Sequence, residues 1–127
     1  MTPASRACCA AVAAACALGA CVGTPISADA PKVVRDLPLS PYDTHEECLR
    51  LEAGDRVEFA FEATEPVDFN VYYREGSTVV MPLVRERSAG DAGVYASPIA
   101  HDYCLAWGAG PAGAVLDYRV RLRPAGA

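Results

Sequence analysis

From Val57 to Val84 the chain keeps a beat of two. Val57, Phe59 and Phe61 alternate with Glu58, Ala60 and Glu62. Thr64-Glu65-Pro66 interrupts, and Val67, Phe69, Val71 and Tyr73 then alternate with Asp68, Asn70, Tyr72 and Arg74. Glu75-Gly76-Ser77 turns the chain into Thr78–Val84. A period of two sends one set of side chains to each face of a strand. The stretch therefore predicts three successive antiparallel strands, 57–63, 67–74 and 78–84, each with one buried face. Pro82 has no N–H to give, which places its strand at an edge or at a bulge.

The rest of the chain follows the same logic. Val33–Leu37 reads as a first edge strand stopped by Pro38, and Glu46–Leu51 as the next, with Ala53-Gly54-Asp55 turning into Val57. Arg85–Gly93 is polar and contains glycine, and predicts a loop before a short strand at Val94–Ile99. Tyr103, Leu105 and Trp107 share one face of a further strand, with Cys104 and Ala106 on the other. After the glycine-rich loop Gly108–Gly113, Leu116, Tyr118, Val120 and Leu122 face inward along the last strand. Apart from the N-terminal segment, nothing carries a helical period. Short strands and frequent turns predict an all-β antiparallel β-sandwich of jelly-roll type, with seven or eight strands, over residues 44–127.

The N-terminal segment predicts a cellular address. Arg6 precedes an apolar run, Ala7–Leu18, which matches a signal-peptide core and is too short to span a bilayer as a stable helix. It ends in Leu18-Gly19-Ala20-Cys21, which resembles a bacterial lipobox. The resemblance implies a signal peptide at 1–20, cleavage before Cys21, and acyl chains on that residue as a membrane anchor. Val22 in place of aspartate resembles the outer-membrane sorting pattern of enterobacterial lipoproteins, which implies an exported protein on the periplasmic side. Residues 21–43 then read as the lipidated cysteine and a tether rich in small and turn-forming residues.

Without residues 1–20 the chain carries ten basic and 16 acidic residues, net −6. Nucleic acid needs a basic footprint, so it is not an expected partner. The glycines of 108–113 have no phosphate-loop lysine, and no cofactor is expected.

Cys8, Cys9 and Cys16 would leave with the signal peptide, and Cys21 would carry lipid. Cys48 and Cys104 remain, in strands, in an exported chain, and predict a disulfide. The alternative is a metal site. His45 and His101, the only histidines, each stand three residues before one of these cysteines. His45, Cys48, His101 and Cys104 could offer two nitrogens and two thiolates to zinc. Against this, residues three apart on a strand point to opposite faces.

The order of strands, the early Cys48 and the late Asp102-Tyr103-Cys104-Leu105-Ala106-Trp107 strand resemble the GOLD domain of the emp24/p24 cargo-receptor family, over about residues 44–124. The resemblance implies a disulfide-linked β-sandwich used as a protein-interaction or adaptor module. The coiled coil and transmembrane helix of those receptors do not follow the domain here, so cargo transport is not implied.

Four surface readings complete the expectations. Asp68, Asn70, Tyr72 and Arg74 form a polar row with an aromatic, suited to a binding face. Arg119, Arg121 and Arg123 form a basic row that Glu58 and Glu62 could neutralise across strands, and that is otherwise a candidate site for an anionic partner. His101-Asp102 near Ser97 suggests a hydrolytic relay but lacks a nucleophile elbow. Glu46, Glu47 and Glu52 could pair as carboxylates for acid–base work or calcium, and read first as a solvated acidic strand start. The function expected is a non-enzymatic envelope lipoprotein whose sandwich binds a protein or envelope component, with the metal-binding domain as the alternative.

Overall fold

The computed structural model describes residues 24–126. The signal segment and Cys21 lie outside the described residues. Six antiparallel strands make up the domain: β1 (Lys32–Leu39), β2 (Thr44–Leu51), β3 (Arg56–Glu75), β4 (Thr78–Ala96), β5 (His101–Ala109) and β6 (Ala114–Arg123). Among the described residues no helix is long and apolar enough to cross a membrane.

One strand organises the sheet. β3 is 20 residues long and pairs from end to end with β4, with interruptions after Glu62, Val67 and Val71. Its other edge is divided. Arg56–Ala63 pairs with β6, and Val67–Tyr72 pairs with β5. Beyond β6 lies β1, and beyond β5 lies β2, giving the order β1-β6-β3-β5-β2. The predicted breaks at Thr64–Pro66 and Arg85–Gly93 are therefore corners within continuous strands. The result is one curled, half-barrel sheet of six strands, where the sequence predicts a sandwich of seven or eight.

The physical reasons are local. Between Glu62↔Gly90 and Val67↔Ser88, β3 has four residues without a β4 partner where β4 has one without a β3 partner, so β3 bends. Pro66 sits there without a ladder bond to lose. Thr64 Oγ1 accepts the Val115 N–H at 2.9 Å and pins the bend to β6. On β4, Arg87 adopts φ 51° and its N–H donates to Asp68 Oδ1 at 2.9 Å. The polar run 85–90 is thus the bulged part of an edge strand, wet enough to look like a loop. Gly93 completes the arrangement. A Cβ there would lie 2.9 Å from the Phe59 ring, so glycine is what lets that ring pack against β4. Pro82 lies on the edge strand, in the bulge between Leu83 and Val80, as its missing N–H requires.

Bending β3 folds the sheet onto itself. Phe59 and Phe61 from its first half meet Phe69 from its second at ring-centroid distances of 4.7 and 5.0 Å. Trp107 of β5 stacks on Tyr118 of β6 at 4.4 Å. Phe69, Val71, Tyr103, Leu105, Trp107 and Leu116 are fully buried. The inward sets predicted for the 57–73 stretch, the Tyr103 strand and the last strand are the ones observed. β1 extends through Pro38 to Leu39, and Ile26 and Val34 pack against the core, so the domain takes in residues that the sequence assigns to the tether.

Cys48 and Cys104 are direct cross-strand partners on β2 and β5 and form a disulfide. It lies on the outer face, with Cys48 exposed, and closes a loop of 56 residues. Chain entropy assigns such a loop an upper value of about 4 kcal/mol. Replacing both cysteines with alanine is expected to lower unfolding free energy by about 2–4 kcal/mol in urea titration, with the β-sheet far-UV spectrum retained below the transition.

Candidate binding surface

The outer face of β2, β5 and the second half of β3 carries the row singled out in the sequence. Tyr72 lies beside the disulfide, because its register partner is Cys104. Its hydroxyl donates to Glu46 Oε2 at 2.7 Å, and the Arg74 guanidinium sits 5.6 Å from its ring centre. The Glu46 carboxylate, followed by burial, pushes the Tyr72 phenol above its ordinary pKa. Asp68 is occupied by the Arg87 N–H. Asn70, opposite Ala106, has a buried Oδ1 with no hydrogen-bond partner among the described residues. The row is pinned and largely covered: Tyr72, 9% exposed, is held between an acid and a base. The four predicted residues share it, and Glu46 joins them.

A second polar cluster lies inside the curl, where β1 and β2 approach without backbone pairing. Lys32 Nζ of β1 contacts both carboxylate oxygens of Glu47 of β2, at 2.9 and 2.7 Å. The Tyr118 hydroxyl of β6 donates to Glu47, and His45 Nε2 lies 2.8 Å from that hydroxyl. With the single hydroxyl proton directed at Glu47, His45 must act as donor. The chain His45 → Tyr118 → Glu47 ← Lys32 thus ties three strands across the open side of the sheet. Glu47 is 9% exposed, not part of a solvated acidic start. The available signal was parity: Glu47 shares the inward phase of His45, Leu49 and Leu51.

The remaining candidates separate. His45 and His101 belong to the inward phase of their strands, opposite Trp107 and Leu51, whereas Cys48 and Cys104 project outward. The four do not converge, and sulfurs joined to each other have no thiolate to offer a metal. Ser97 is buried, and its hydroxyl donates to the Glu52 carbonyl at 2.7 Å, tying down the β2–β3 turn. His101 Nδ1 accepts the Asp102 N–H at 2.9 Å. These three residues form no relay. Glu52 is exposed and pairs with Arg50. In the basic row, Arg123 reaches Glu58 at 3.0 Å, but the partner of Glu62 across the ladder is Asp117 rather than an arginine.

No family model and no curated protein matches this chain, so the GOLD resemblance rests on strand order and the cysteine pair alone. Among solved structures the fold is similar to PliG of Aeromonas hydrophila, described as a periplasmic lysozyme inhibitor of g-type lysozyme. The match has a TM-score of 0.56 at 14% identity and covers 79% of this chain and 96% of that one. A de novo designed double-stranded β-helix matches at a TM-score of 0.41 and 16% identity, over 74% of this chain and 99% of that one.

The inner cluster has a pH signature. Burial first, then the Glu47 hydrogen bond, holds the Tyr118 phenol protonated well above its ordinary pKa. The unfolded chain releases that proton near pH 10 and the folded one does not. The contribution is whole below about pH 10 and is lost as pH rises from there, at ~1.4 kcal/mol per pH unit. Urea titrations from pH 9 to 11.5 are expected to show a smaller alkaline loss for Tyr118→Phe than for wild type, by roughly this slope.

Proposed function

We propose that this chain is a non-enzymatic binding module of the cell envelope, anchored through an acylated Cys21, that engages a protein partner. The observation that carries the reading is the shared fold: a periplasmic inhibitor, named for the lysozyme it inhibits, superimposes on this chain over 96% of its own length. The side chains support it. The seam residues bond to one another, and the groups suggestive of hydrolysis are separately engaged. The lipobox-like Leu18-Gly19-Ala20-Cys21 supplies export and anchoring, and Val22 supports an outer-membrane destination on the periplasmic side.

The docking surface proposed is the outer face built from Asp68, Asn70, Tyr72 and Arg74, with Glu46 and the disulfide beside them. Glu46 and Arg74 already hold Tyr72 in the free protein, which limits the ordering entropy that association must overcome. Tyr and Arg at its centre are the residue types that dominate interface energetics. An enzyme inhibitor is the specific form of the reading, and its first target to test is a g-type lysozyme.

The test is a titration of the mature protein into g-type lysozyme, followed by turbidity loss of cell-wall substrate and by size-exclusion chromatography. Saturable inhibition with a co-eluting complex is expected, and Tyr72→Ala should weaken it about tenfold or more. Full lysozyme activity at excess protein, with no complex, contradicts the inhibitor form. Absence of any specific crosslinked protein in native envelopes contradicts the module itself.

A further inference from the structure

Charge is sorted along this molecule in a way that its net value conceals. The outer face of β6 and the first half of β3 presents Arg119 opposite Ala60, Arg121 opposite Glu58, and Arg123 opposite Arg56. Four guanidinium groups thus face one carboxylate. Arg123 shares Glu58 in a half-exposed pair, which solvent weakens. Arg121 donates to the Ala28 carbonyl at 3.2 Å. Arg56 and Arg119 are exposed and make no ion pair among the described residues. The next row up is acidic, with Glu62 opposite Asp117; at or beyond the β3 corner Glu65, Asp68, Glu86 and Asp91 outnumber Arg85 and Arg87, so that end is net acidic.

The chain enters the domain at the basic end. The Leu122 N–H donates to the Ser27 carbonyl at 3.1 Å, and Ile26 packs against the core. Only six chain steps separate Ser27 from Cys21, a reach of about 20 Å when fully extended. An acylated Cys21 therefore holds Arg121 and Arg123 close to the bilayer, within a few Debye lengths even at full stretch. The acidic corner lies at the opposite end of β6.

We infer that the arginine-bearing face of β6 and β3 lies against an anionic lipid surface, with the acidic corner directed away from it. The inference rests on the acylation of Cys21. The leash supplies nearness, and the sorted charge supplies orientation, since a negative surface attracts the first end and repels the second. An acidic protein with no basic footprint overall thus has one where its anchor emerges.

The test uses the mature acylated chain in vesicles of phosphatidylcholine alone, or of phosphatidylcholine and phosphatidylglycerol in about equal parts. Arginine modification by phenylglyoxal is followed residue by residue by mass spectrometry. Modification of Arg56, Arg119 and Arg123 is expected to slow about threefold or more in the anionic vesicles, with Arg85 and Arg87 unchanged and the protection lost at about 1 M salt. Equal rates in both vesicles, with acyl chains confirmed on the Cys21 peptide, overturn the inference and leave the anchor standing. An unmodified Cys21 overturns the anchor and the inference together. Arg56→Glu with Arg119→Glu should abolish the protection of Arg123, and its survival would count against a charge-driven contact.

Discussion

The fold depends on β3 serving two sheets' worth of partners. A strand of 20 residues cannot stay flat in a domain this small, because both halves have an apolar face to bury. Bending at residues 63–66 turns those faces toward each other, so that Phe59 and Phe61 pack on Phe69. β5 and β6 then take one half each, and their Trp107–Tyr118 stack fills the space between the halves. Aromatic pairs at such spacing contribute about 0.5–1.5 kcal/mol beyond simple burial.

A curled sheet must also manage its two approaching edges. β1 and β2 meet through side chains rather than backbone, with Lys32, Glu47, Tyr118 and His45 in one connected set. Burying a carboxylate is costly, and a cation with two contacts plus a phenol donor offsets most of that cost. Such a set adds little net stability, since an apolar replacement of similar volume can pack as well. The outer face shows the same habit on a smaller scale, where Tyr72 is fixed by Glu46 and Arg74.

Alternation made most of the core legible, because inward phase survives any change in strand connectivity. Val57 to Tyr73, Tyr103 to Trp107 and Leu116 to Val120 all face as their spacing says. The cysteine pair was legible from compartment and elimination. Strand number was not, because a corner and a loop share the same local chemistry: Thr64-Glu65-Pro66 and Arg85–Gly93 are polar for reasons of bending, and only pairing with a neighbour tells the two apart. The seam was hidden for a different reason. Lys32 and Glu47 are 15 residues apart on strands that are not ladder neighbours, so no local pattern announces their contact. Arginines on β6 were visible as a row, but their position beside the chain entry needed the three-dimensional path of residues 26–28.

The central physical claim about the seam is that Lys32 and Glu47 depend on each other, so that neither charge is tolerated there without its partner. A double-mutant cycle in urea, using Lys32→Met, Glu47→Leu and the pair, measures that coupling without the rest of the fold. Each single change should cost about 3 kcal/mol, because it strands the other charge, while the double variant should lie close to wild type. Single effects that are small and simply add would mean that the two charges are not coupled across the seam, which contradicts the claim.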